Sequence, residues 1–98
     1  MSVQNKSLKD LKNVGKATLQ DLNILGIHSV DELIHYDATQ LFEQLEKLTG
    51  QRQDPCVWDV FAAIIHEAKT GEPTSWWEWT PQRKMLQKTG KLTHWKNQ

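Results

Sequence analysis

Apolar side chains recur every three or four positions along most of this chain, and this spacing constrains the fold more than any other feature of the sequence. Such a period places apolar residues on one face of an α-helix, whereas a half-buried strand alternates at every second position. No segment of residues 1–70 shows that alternation, and no proline occurs before Pro55. The pattern therefore predicts an all-α protein.

Capping residues divide the chain into about five short helices joined by short turns. Hydroxyl and carboxylate side chains accept hydrogen bonds from the free N–H groups of a first helical turn, and glycine ends helices by entering the left-handed region. The apolar runs of the five helices begin at Leu8, Leu19, Val30, Leu41 and Val57. The predicted N-terminal caps are Ser29, Asp37 and Asp54, and the predicted C-terminal stops are Gly26, Gly50 and Gly71. We expect these helices to pack as one compact bundle over residues 1–72.

The composition changes after Gly71, and we interpret residues 73–98 as a C-terminal arm. Trp76, Trp77 and Trp79 form a proline-flanked stretch that we expect to pack back on the bundle. The basic remainder, residues 83–98, supports at most a short helix that Gly90 interrupts. The tryptophans suit three roles: cover for a small core, which we favour, stacking on the bases of a single strand, or a dimer contact.

The net charge is zero at pH 7, but the charges are unevenly distributed. Residues 1–20 carry a net +3, residues 21–72 a net −7 and residues 73–98 a net +4. We expect the carboxylates of the middle segment to lie on exposed helix faces. Basic ends permit a polyanionic partner at one face, while the neutral total denies the protein a strong overall field.

Several function classes find no support in the sequence. No apolar stretch approaches the ~20 residues of a membrane span, and the first residues lack the apolar region of a signal peptide. The single Cys56 has no disulfide partner in the chain, so we expect a cytoplasmic protein with no membrane contact. No nucleophile–base pair or glycine-rich nucleotide loop is present, and the histidines are too far apart for a metal site. We therefore predict no enzyme activity, catalytic residue, metal or cofactor; the histidines are His28, His35, His66 and His94.

The most informative segment is residues 8–22, in which two short amphipathic helices meet at a tight turn. Gly15 is expected to let the backbone turn sharply and to let a ligand come close. Val14 is expected to anchor the turn in the core. Because the second helix begins directly afterwards, its free N–H groups and positive dipole end form a potential phosphate site. The predicted nucleic-acid-binding residues are Lys12, Asn13, Val14, Gly15 and Lys16.

This segment resembles the helix-hairpin-helix family, whose pattern its apolar positions and Gly15 match. Asn13 replaces the first hairpin glycine of that family, and Leu19 replaces an alanine of the second helix. The resemblance implies a tandem, SAM-like arrangement in which backbone amides contact a nucleic-acid backbone without reading sequence. The second hairpin, at residues 51–55, is degenerate, and Asp54 is expected to occupy the helix donors and repel phosphate.

The chain from Leu8 to about Lys84 also resembles the bacterial pathogenicity locus family, which is related to proteins labelled mitomycin-resistance proteins. The matching segments are Gly26-Ile27 with Ser29-Val30, Leu48-Thr49-Gly50, Gln53-Asp54-Pro55-Cys56 with Asp59-Val60-Phe61, and Trp76-Trp77 with Trp79. This resemblance implies a bacterial protein with a link to DNA.

Two functions follow as hypotheses. The first is a module that binds nucleic acid, DNA in particular, weakly and without sequence specificity, through phosphate contacts at the turn. The alternative is a protein–protein interaction domain with the same fold and no DNA role, whose contact surface is the acidic middle or the tryptophan arm.

Overall fold

The computed structural model describes residues 7–90 and residue 92, and within them it confirms the all-α prediction. That part of the chain contains five α-helices, two 3-10 turns and no strand. The helices are α1 (Lys16–Ile24), α2 (Val30–Leu33), α3 (Ala38–Thr49), α4 (Cys56–Thr70) and α5 (Thr80–Lys88). The 3-10 turns are Leu8–Asp10 and Trp76–Trp79. None of the described helices is both long and apolar enough to cross a membrane.

The structure confirms Ser29 and Asp37 as N-caps, whereas the N-cap of α4 is Pro55 and the predicted cap Asp54 lies one position before it. The Ser29 hydroxyl accepts a hydrogen bond of 3.1 Å from the backbone N–H of Glu32 at the start of α2. Asp37 accepts one of 2.7 Å from Gln40 at the start of α3. Asp54 accepts one of 2.8 Å from the N–H of Cys56, the first residue of α4. These side chains satisfy donors that the helices themselves leave free.

The structure differs from the prediction at both ends of the bundle. The first predicted helix is only the 3-10 turn Leu8–Asp10, because Leu11 is already extended with ψ of 143°. The arm, in contrast, contains a complete helix, α5, which carries a proline in its first turn and ends before Gly90. The residue of α5 that is buried is Arg83, whereas the apolar Leu86 is only partly buried against the core, so the helix shows a weak apolar pattern in the sequence.

Helix α4 is the centre of the packing. Nine of its fifteen residues are buried, and it contacts α2, α3, α5 and the 3-10 turn Trp76–Trp79. Phe42 from α3, Leu22 from α1 and Leu33 from α2 are fully buried in the same core. A helix covered on several sides must bury whatever polar residues its sequence places there.

Two carboxylates are buried in α4, contrary to the expectation that the acidic residues of the middle segment are exposed. Asp59 has no accessible surface and Glu67 has 2%. The Arg83 guanidinium of α5 contacts both Asp59 oxygens, at 2.8 and 3.3 Å, and the Thr80 hydroxyl donates to Asp59 at 2.6 Å. A buried charge is tolerated only when it is paired and hydrogen-bonded, so Asp59 fixes α5 against α4.

Glu67 fixes the other end of the described chain. Its Oε1 accepts a hydrogen bond of 2.9 Å from the backbone N–H of Lys12, which is 55 positions earlier in the sequence. The turn at residues 12–15 is therefore held against the C-terminal half of α4 by a buried charged acceptor, the stronger class of hydrogen bond.

Asn13 joins this turn to the arm. Its backbone is left-handed, with φ of 76°, a conformation that asparagine adopts more readily than most residues. Its side-chain amide donates to the Thr74 carbonyl at 2.8 Å and accepts from the Trp76 N–H at 3.3 Å. The Asn13 side chain thus joins the turn to the tryptophan-rich segment, which also contacts α4.

The three arm tryptophans divide between two environments. Trp79 packs against the core and donates its indole N–H to the Thr74 hydroxyl at 2.9 Å. Trp76 is partly buried, whereas Trp77 is 61% exposed and meets the Trp76 ring edge-on with centroids 5.7 Å apart. Trp79 thus covers part of the core, whereas most of the Trp77 side chain is exposed to solvent.

The buried ion pair gives a stability prediction. Arg83→Met leaves the Asp59 carboxylate buried without its cation, so we expect the free energy of unfolding in urea to fall by about 3–5 kcal/mol. Lys84→Met changes the exposed neighbour and is expected to cost about 0.5 kcal/mol or less. The double variant Asp59→Leu with Arg83→Met should lose less than Arg83→Met alone, since no uncompensated charge remains. Equal losses in the Arg83 and Lys84 variants would contradict this account.

Asn13 gives a second prediction. Asn13→Gly keeps the left-handed backbone and removes the two hydrogen bonds to the arm, so we expect a loss of about 1–2 kcal/mol in urea unfolding. Asn13→Ala should lose about 1 kcal/mol more, because alanine is strained at positive φ. Asn23→Ala, at an exposed position of α1, is the control and should change stability by less than about 0.5 kcal/mol. An Asn13→Gly protein as stable as the original would show that the arm is held by other contacts.

Candidate nucleic-acid interface

The predicted binding residues lie together at one surface turn, residues 12–15, and at the first residue of α1. Lys12, Gly15 and Lys16 are exposed, and Asn13 is partly buried through its contact with the arm. Val14 is partly buried and packs against the core, as expected for the residue that anchors the turn. The turn thus presents two lysines and a bare glycine to solvent.

Gly15 is not the residue that turns the backbone. Its φ of −105° and ψ of −168° lie in the ordinary extended region, and the positive φ belongs to Asn13. The expectation that Gly15 permits the sharp turn is therefore wrong. A Cβ added to Gly15 would meet no atom within 4 Å, so the position is open to solvent. Gly15 still allows a ligand to come close, because it has no side chain to cover the adjacent N–H groups.

The backbone N–H groups of the turn fall into two sets. Those of Lys12 and Val14 are paired, with the Glu67 carboxylate at 2.9 Å and the Leu11 carbonyl at 3.2 Å respectively. Those of residues 15–18 find no acceptor among the described residues, and Gly15 gives α1 no side-chain cap. A helix start with four adjacent free donors and a positive dipole end suits an anion.

Charge at this helix start favours the same ligand. Lys12 and Lys16 are the cations beside it, and no acidic residue lies in the first turn of α1. The acid that precedes the turn, Asp10, accepts hydrogen bonds from Ser7 at 3.0 and 3.1 Å, and the next acid after the turn, Asp21, lies in the second turn of α1. The two lysines therefore favour an anion at the N–H groups of residues 15–18 electrostatically, and the folded turn already orients these N–H groups.

The predicted second hairpin, residues 51–55, has its donors occupied. The N–H of Gln53 donates to the Glu46 carboxylate at 2.8 Å, and the N–H of Cys56 donates to Asp54 at 2.8 Å. Burial and the neighbouring Asp54 carboxylate raise the pKa of the Cys56 thiol, which favours its neutral form. This turn offers carboxylates where the first turn offers free N–H groups and lysines.

Sequence reasoning missed Glu67, the buried residue that holds the turn. Nothing in its spacing distinguishes it from a solvated glutamate, because it lies beside the apolar stripe of α4 and its partner is a backbone group.

Within the described residues, no three His, Cys, Asp or Glu side chains come together in a way that would hold a metal ion.

Comparisons with known proteins agree with the resemblance seen in the sequence. The family model described as pathogenicity locus matches residues 2–85. A similar protein, mitomycin resistance protein McrB of Streptomyces lavendulae, is 32% identical over 85 residues, which are 87% of this chain and 81% of that protein. No solved structure matches the chain. The family match covers most of the sequence, and the chain belongs to the pathogenicity locus family.

Proposed function

We propose that this protein binds nucleic acid, DNA in particular, weakly and without sequence specificity, through the turn at residues 12–15 and the start of α1. In this proposal, the turn and α1 act as a helix-hairpin-helix element. They form a tandem with a second hairpin whose N–H donors are bonded to carboxylates. The ligand is the phosphate of the backbone, which carries no sequence information.

One observation carries the proposal: four adjacent N–H groups, those of residues 15–18, have no acceptor among the described residues, and the same short segment carries two exposed lysines, Lys12 and Lys16. Backbone donors at a helix start bind phosphate by geometry and dipole, and lysine adds a point charge. The pairing of Glu67 with Lys12 holds the turn in shape before a ligand arrives, which lowers the entropy lost on binding.

The affinity should be low and depend strongly on salt. The chain has no net charge, so long-range attraction comes only from its basic ends. Each phosphate contact releases counterions, so binding weakens as the salt concentration rises.

We propose the cytoplasm as its compartment, because the free Cys56 is the single cysteine in the chain.

A protein-binding role is the second candidate. The observation that favours it is a set of exposed apolar side chains in or beside the acidic middle segment: Ile24 at 47%, Tyr36 at 41% and Leu48 at 52% exposure. Apolar side chains near acidic ones suit a partner with a basic, amphipathic surface. Under this hypothesis, nucleic acid produces no chemical-shift changes in the labelled protein even at low salt.

Charge reversal tests the first candidate. Lys12→Glu with Lys16→Glu should reduce affinity for a short oligonucleotide at low salt by at least tenfold and lower the salt dependence by about one unit of slope per lysine. The control variant, Lys47→Glu with Lys69→Glu, makes the same change of net charge away from the proposed site. Lys47 lies in α3, and Lys69 lies on the opposite face of α4 from Glu67, the residue that contacts the turn. The measurement is fluorescence anisotropy of the labelled oligonucleotide at several salt concentrations. Equal losses in the two double variants would indicate a nonspecific charge effect and contradict the proposed site.

Gly15→Ala separates binding from folding. The added Cβ meets no atom and the backbone is in an ordinary region, so we expect stability within about 0.5 kcal/mol, the weaker helix cap being offset by lower unfolded-state entropy. The methyl group occupies space that the bare glycine leaves open to an approaching phosphate, so affinity for the oligonucleotide should fall severalfold. If the variant binds as well as the original protein, phosphate does not approach the backbone at this point.

A further inference from the structure

A small cavity lies beside the proposed phosphate site, between the first halves of α1 and α4. It has a volume of about 260 Å³. Its apolar walls come from α4 and the arm, and include Val57, Val60 and Trp76. Ala17 and Thr18 line it from α1, and these two residues also contribute free N–H groups to the proposed phosphate site. The volume falls just below the ~300–1,000 Å³ typical of small-molecule sites, so a single ring system is the size of ligand that fits.

Asp21 and Trp76, which both line this cavity, each have a polar side-chain group without a partner in the described part of the chain. No described residue donates a hydrogen bond to the Asp21 carboxylate. Burial raises the pKa of the Asp21 carboxyl, because the charged form has lost part of its hydration. The indole N–H groups of Trp58 and Trp79 donate to Thr39 and Thr74, whereas no described residue accepts that of Trp76. The cavity therefore combines an aromatic wall with an acceptor that lacks a donor.

We propose that this cavity takes an unpaired nucleobase of the strand whose phosphate is bound at residues 15–18. The inference rests on the proposed function and adds the class of nucleic acid: a single strand or a strand with an extruded base. Continuity of the two sites through Ala17 and Thr18 supports it, because a nucleotide joins an anionic phosphate to a flat, uncharged ring. The carboxylates at the cavity exclude a phosphate from it, so the base is the part that enters; they are Asp21 and Asp54.

The chemistry of the cavity also selects among bases. A carboxylate accepts hydrogen bonds, so it favours bases that carry an exocyclic amino group. Cytosine presents the N4 amino group where thymine presents the O4 carbonyl, which a carboxylate repels. The two pyrimidines are similar in size, so they form a matched pair of ligands. Stacking on Trp76 adds affinity for the base that enters the cavity.

The test compares binding of the tetranucleotides dC4 and dT4 to ¹⁵N-labelled protein at low salt, with the Trp76 indole signal identified through Trp76→Phe. We expect both to shift the backbone signals of residues 15–18, and dC4 to bind about tenfold more tightly and shift the Trp76 indole. A duplex at equal phosphate concentration should shift the backbone signals alone. Equal affinities for dC4 and dT4, with no shift at Trp76, would overturn the base site while leaving phosphate binding in place. No shifts with any ligand would overturn the proposed function itself.

Asp21→Asn makes the test specific to the carboxylate. The amide has a similar shape and no desolvated charge, so the variant should fold at least as stably as the original. One acceptor oxygen becomes a donor, so the preference for dC4 over dT4 should fall to about one or reverse, with salt dependence unchanged. Asp31→Asn, at an exposed position of α2 outside the cavity, is the control and should keep the tenfold preference. A preference retained in Asp21→Asn would contradict the role of this carboxylate.

Discussion

The arrangement of this chain depends on two carboxylates buried in one helix. An ionised side chain without water needs a cation or well-oriented donors, and α4 places Asp59 and Glu67 where helices cover it on several sides. Asp59 is satisfied by Arg83 from the arm, and Glu67 accepts from the backbone of the N-terminal turn. Both ends of the described chain are thus directed to α4 by polar groups with strict geometric requirements, while the apolar core sets only approximate positions. A small domain gains from this a defined arrangement that hydrophobic burial alone would not select.

Local features of the fold could be predicted from the sequence because their causes are local. The hydrogen bonds of Ser29, Asp37 and Asp54 at the helix starts depend on residues two or three positions away, and the apolar stripes report the core side of each helix. The errors come from interactions across the sequence. Leu8–Asp10 has the composition of a helix but is shortened where the chain extends toward Glu67, and α5 is fixed by an ion pair spanning 24 positions. Neither interaction can be recognised in a short stretch of sequence, because its two partners are far apart along the chain.

The candidate site shows the same division. The spacing of residues 8–22 is enough to predict three features: lysines at the surface of the turn, Val14 as its anchor and a helix that begins after Gly15. The roles of Asn13 and Gly15 could not be separated, since both tolerate unusual backbone conformations and only the dihedral angles show that Asn13 carries the positive φ. The cavity beside α1 was also beyond prediction, because it is formed by three segments, two of them about 40 and 60 positions from the turn.

Asn13 has a consequence for how the protein responds to a ligand. Since its backbone shapes the turn and its side chain holds residues 74 and 76, we expect the arm to open and the turn to loosen together, as one local unfolding event. The ligand proposed for the turn would suppress that event. By thermodynamic linkage, anything that captured the released arm would lower the affinity of the turn for its ligand. Trp77, the most exposed of the described large apolar residues, lies in the segment that would be released. Any macromolecule that captured the released arm would therefore compete with the ligand proposed for the turn.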